Sequence, residues 1–145
     1  MHPYVVHFPI TLFVTAVLLD IACLIRRRAT WLDRAAVTLY ALSVLGAGLA
    51  IWTGKLAAGE VGTVTPNVEA LIGEHSDRAF FTLIGFIGVL LLRFESFWRD
   101  RAEPETSLQQ IRLVALVVEI GVVWLLVETA RRGGVLVYQY GVGVM

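Results

Sequence analysis

Charge is scarce in this chain and cancels where it occurs. Only 17% of the 145 residues are Asp, Glu, Lys or Arg, and twelve basic side chains balance twelve acidic ones. No basic field exists to attract nucleic acid, and no acidic tail marks a solvating segment. Cysteine occurs once, as Cys23 inside an apolar run, so neither an internal disulfide nor a thiolate metal cluster can form. No phosphate-binding loop, His-Glu-x-x-His motif or nucleophile–base spacing is present, which argues against an independent hydrolase or transferase. The N-terminus has neither a basic leader nor a small-residue cleavage site. Its apolar segment ends in Arg26-Arg27-Arg28, the pattern of a retained first helix with a cytoplasmic basic end.

Apolar residues dominate instead. At 57% hydrophobic and a mean hydropathy of +0.74, the chain exceeds ordinary soluble composition. A bilayer core about 30 Å thick needs roughly 20 apolar helical residues, and four segments supply them: residues 4–25, 35–53, 79–98 and 113–130. The length fits one domain, 1–145. The fold expected is therefore all-α, an integral membrane four-helix bundle ending in a short Gly-rich C-terminal tail. The third span carries Arg93 and Glu95 near its end, where long side chains reach the interface.

Basic residues set the orientation. Residues 26–34 and 93–112 hold eight of the twelve, whereas 54–78 holds only Lys55 and Arg78 against Glu60, Glu69, Glu74 and Asp77. The positive-inside rule then puts both termini and the 54–78 loop outside, in a multi-pass protein of the bacterial inner membrane. Gly46, Ala50 and Gly54 recur every four residues in the second span, a stripe suited to close helix packing. Trp31, Trp52 and Trp98 fall near the interfaces as aromatic anchors.

The chemistry-bearing residues gather at the outer end. His2 and His7 open the first span, and His75 is expected to open the third. Thr11 and Thr15 follow His7 on one helical face, and a polar face in a spanning helix is expected to turn toward protein. His7 and His75 are then predicted at similar depth, an arrangement suited to axial ligation of haem b by two imidazoles. A divalent metal with His2 or Glu74 as an added ligand is the alternative, as are plain interfacial histidines. Gly133-Gly134 is expected to end the fourth helix and let the tail fold over the outer mouth, where Arg131, Arg132, Tyr138 or Tyr140 would meet haem propionates. Deeper in the membrane, Asp20 is expected to pair with Arg93 or with Arg26–Arg28. Glu119 is expected to hydrogen-bond Ser43 or Tyr40, or to carry a proton.

The ends of the chain carry a family likeness. His-Pro-x-x-Val-His-Phe-Pro-Ile at residues 2–10 and Gly-Gly-x-Leu-Val-Tyr-x-x-Gly-Val-Gly-Val at 133–144, with Glu74-His75 between them, resemble a family of small bacterial membrane proteins catalogued as domain of unknown function 2231. The resemblance covers essentially the whole chain. It implies four spanning helices, directs attention to His2, His7, His75 and the tail, and implies association with respiratory or electron-transfer proteins. Two functions are compatible with these residues. One is a haem-b electron-transfer protein or subunit working with a membrane-protein or cytochrome partner in the lipid bilayer. The other is a non-catalytic accessory subunit of a larger membrane complex. A transporter or proton channel fits less well, because there is no repeat or broken helix to form a pathway.

Overall fold

A computed structural model describes residues 2–25, 30–60, 62, 65–99 and 105–142. They form four helices: α1 (His2–Ile25), α2 (Thr30–Glu60), α3 (Pro66–Arg99) and α4 (Glu105–Tyr140). Each is long and apolar enough to cross a membrane. α1 packs most extensively on α2 and α3 on α4, with α2 joining the two pairs and α1 touching α4 more lightly. An even number of spans places the start of α1 and the end of α4 at one end of the bundle, called here the terminal end.

The helices outrun the apolar segments. α2 and α3 extend through most of 54–78, and only residues 61–65 connect them. His75 therefore lies well inside α3 instead of opening it. Apolarity is required only within the hydrocarbon, so hydropathy locates a span and not the ends of its helix. The true start of α3 has its own signal. Thr65 accepts at its carbonyl from the N–H groups of Val68 (2.9 Å) and Glu69 (3.1 Å), and Pro66 takes the first helical position, where no N–H is needed.

The glycine-rich tail also differs from expectation. Gly133 and Gly134 lie inside α4, and the helix ends instead at Gly141, whose φ of 66° makes the left-handed cap. The Gly141 N–H donates to the Val137 carbonyl (3.1 Å), and that of Val142 donates to Leu136 (3.0 Å). A glycine pair costs helix stability without forbidding helix, and Leu136 is buried against the bundle, which offsets the cost.

The middle of the bundle is apolar. Phe13, Ala16, Val17, Ala36, Tyr40, Phe86, Val89, Val122 and Leu126 form one apolar cluster. Phe13 stacks on Phe86, with centroids 4.0 Å apart and planes 4° from parallel, and meets the Tyr40 ring edge-on at 5.2 Å. Small residues admit close neighbours at two places. A Cβ on Gly46 would sit 3.2 Å from Pro9 Cβ, and one on Gly85 would sit 3.0 Å from a Val122 methyl. Trp31 and Trp52 are exposed, as interfacial anchors should be. The Trp98 side chain lies outside the described residues.

Candidate functional site

Two polar groups interrupt the apolar bundle, one on each side of the Phe13–Phe86 stack. The lower one draws on all four helices. Arg93 of α3 is 4% exposed and turns into the bundle. Its Nη2 donates to Asp20 Oδ1 of α1 and lies 3.4 Å from Asp33 Oδ1 of α2, and its Nε lies 3.8 Å from Glu119 Oε1 of α4. The Tyr40 hydroxyl donates to Asp20 Oδ2 at 2.8 Å, and Arg112 Nη2 donates to Asp33 Oδ2 at 3.1 Å. The expected pairing of Asp20 with Arg93 is present.

The expected hydrogen bond from Ser43 to Glu119 is not formed. Ser43 donates to the Tyr40 backbone carbonyl (2.7 Å), and the Tyr40 hydroxyl donates to Asp20 while lying beside Glu119. Both Glu119 carboxylate oxygens are buried without a hydrogen-bond partner. Asp20, Cys23 and Asp33 offer ligand atoms within 4.8 Å of one another. The Arg93 guanidinium already joins the two aspartates, however, so this is an ion-pair network and not a metal cage.

The upper group lies on the α3–α4 seam at the terminal end. The His75 ring rests on Gly133, with Cε1 2.9 Å from where a Cβ would stand. Its Nδ1 is buried with no hydrogen-bond partner, and the ring lies beside the Thr129 backbone. Deeper in the seam, two turns from His75 along α3, the Thr82 and Thr129 hydroxyls meet at 2.9 Å. On the rim, Arg132 Nη1 donates to Glu74 Oε2 (2.6 Å) and Arg131 Nη1 to Glu128 Oε1 (2.8 Å). Glu128, Arg131, Arg132 and Val135 line a shallow cleft of about 220 Å³. Tyr138 and Tyr140 are exposed on α4, with Tyr138 90% accessible, so neither leans over the imidazole.

His7 is not turned into the bundle. It shares an exposed face of α1 with Thr11 and Thr15. The Thr11 hydroxyl donates to the His7 carbonyl (2.9 Å) and that of Thr15 to the Thr11 carbonyl (2.7 Å). Threonines satisfied by their own helix can face lipid, so they do not mark the protein-facing side. The side chain of His2 lies outside the described residues, but its place on α1 is set.

Register relates these histidines. Phe13 to Phe86 and Asp20 to Arg93 are both separated by 73 residues, so α1 and α3 run parallel with that offset along at least two turns. The same offset carries His75 to position 2 of α1, and carries His7 to Phe80, on the exposed side of α3. Positions 2 and 75 each stand three turns above the stacked rings. His7 is deeper than His75 by about 7 Å at 1.5 Å per residue. The similar depth expected for His7 and His75 is not found. Sequence spacing within α1 could not reveal this, because the offset becomes visible only once cross-helix contacts are known.

A family model described as "Predicted membrane protein (DUF2231)" matches residues 1–145. No curated protein and no solved structure matches the chain.

Proposed function

The chain belongs to the DUF2231 family of predicted membrane proteins, and we propose that it is a small electron carrier of the bacterial inner membrane whose haem b is ligated by His75 at the terminal end. The observation that carries this reading is the buried, unpartnered Nδ1 of His75. A buried imidazole nitrogen left without a partner is available as a ligating nitrogen. Gly133 gives the ring its seat, since a Cβ there would stand 2.9 Å from His75 Cε1. These two features support the reading. A haem held by two imidazoles supplies one-electron transfer without further protein chemistry.

The second ligand favoured by the 73-residue offset is His2, level with His75, ahead of His7 on the exposed face of α1. Arg132, one residue from the His75 seat and held by Glu74, supplies positive charge for an acidic edge of the group, with Arg131 beside it. An electron carrier at that end requires a donor and an acceptor, so a cytochrome or other membrane-protein partner is part of the proposal. The same imidazole would serve a lone divalent metal, and the test separates the two.

Reduced-minus-oxidised absorption of the purified protein is the first measurement. A b-type band in the wild type that vanishes in His75→Ala, with helix content unchanged, is expected. A colourless protein carrying stoichiometric metal would replace haem by the metal. Absence of both would end the proposal.

A further inference from the structure

The lower polar group is independent of the imidazole site. Among the described residues its charges do not balance if every member is ionised: Asp20, Asp33 and Glu119 bring three negative charges, and Arg93 and Arg112 bring two positive ones. An unbalanced charge in the bilayer interior is expensive, about 2.5–3.5 kcal/mol even on insertion scales. The groups facing Glu119 and its partners from the packed helices are Asp20 and Cys23 on α1, Asp33 and Tyr40 on α2, and Arg93 on α3, with Arg112 on α4 itself.

Hydrogen bonding indicates which acid is neutral. Asp20 accepts from Tyr40 and Arg93, and Asp33 accepts from Arg93 and Arg112. Glu119 is fully buried, and neither of its oxygens accepts a hydrogen bond. A carboxylate left so bare would bear the full desolvation cost, whereas a carboxylic acid would not. We propose that Glu119 is a proton-binding site, protonated at rest, that exchanges its proton by way of the Arg93, Asp33 and Arg112 side chains. Side-chain exposure rises from 1% at Glu119 through 5% at Arg93 and 9% at Asp33 to 19% at Arg112, a graded route toward the α1–α2 connection. On the terminal side, the ring stack of Phe13 and Phe86 seals it. When the proton leaves along that route as a hydrated proton, the new carboxylate stays beside Arg93 Nε, which has no hydrogen-bond acceptor until then.

Infrared spectroscopy of the full-length protein in lipid nanodiscs tests this. At neutral pH the wild type should show a protonated-carboxyl C=O band that shifts in heavy water. The band should be absent in Glu119→Gln. It should also be absent in Asp20→Asn, although Glu119 remains, because removing one negative charge lets two acids balance two arginines. Cys23→Ala should retain it. No such band in the wild type, its persistence in Glu119→Gln, or its survival in Asp20→Asn would each overturn the proposal. The Asp20 variant keeps the test decisive should Glu119→Gln fail to fold.

Discussion

At Arg93 one cation meets acids contributed by each of the other three helices. Arginine suits this position because its planar fork offers several donors and stays charged when buried. A buried ion pair need not add net stability, but removing one partner leaves an uncompensated charge at a typical cost of about 3–5 kcal/mol. Arg93→Met should therefore strongly lower the thermal unfolding midpoint in mild detergent. Arg93→Lys should recover only part of the loss, since a point charge cannot address Asp20, Asp33 and Glu119 together. Equal midpoints for Arg93→Met and the wild type would show that the network contributes nothing. Part of this network was legible in the sequence: an acid six residues before an arginine run and an arginine inside a span both demand partners. The inclusion of Asp33 and Arg112 was not, because both sit in polar flanking sequence that reads as a solvated loop.

At the scale of the helix, small residues have unequal duties that spacing alone does not reveal. Gly85 faces Val122 at a distance no Cβ tolerates comfortably, whereas nothing lies within 4 Å of a Cβ placed on Gly88. Gly85→Ala should destabilise the bundle by about 1–3 kcal/mol through overpacking. Gly88→Ala should be neutral or stabilising, by up to about 1 kcal/mol, from reduced backbone freedom. Thermal unfolding of the pair checks the contrast, and equal losses would contradict this packing. The existence of four spans was plain from hydropathy, but their ends were not. The segment 54–78 looked like a loop because its charges exclude it from hydrocarbon, and charge does not exclude helix. Thr65-Pro66 marked the start of α3 in the sequence, and Gly141 in place of Gly133 closed α4, because burial of Leu136 holds the last turns in place.

For the molecule as a whole, an apolar aromatic layer separates two polar sites at different depths. The upper site combines an imidazole of α3 with a glycine seat on α4, and the lower one joins all four helices. That His75 stands with the other histidines at one end of the bundle was legible in the sequence. The face and depth of His7 were not, since Thr11 and Thr15 gave the exposed side of α1 the look of an interior face, and depth can be compared only after α1 is set against α3. The offset fixed by Phe13–Phe86 and Asp20–Arg93 turns that comparison into a discriminating experiment. In absorption spectra of His2→Ala, His7→Ala and His75→Ala, each compared with wild type at equal helix content, the haem band should be lost or shifted for positions 2 and 75 and unchanged for position 7. A band abolished by His7→Ala and untouched by His2→Ala would contradict the account.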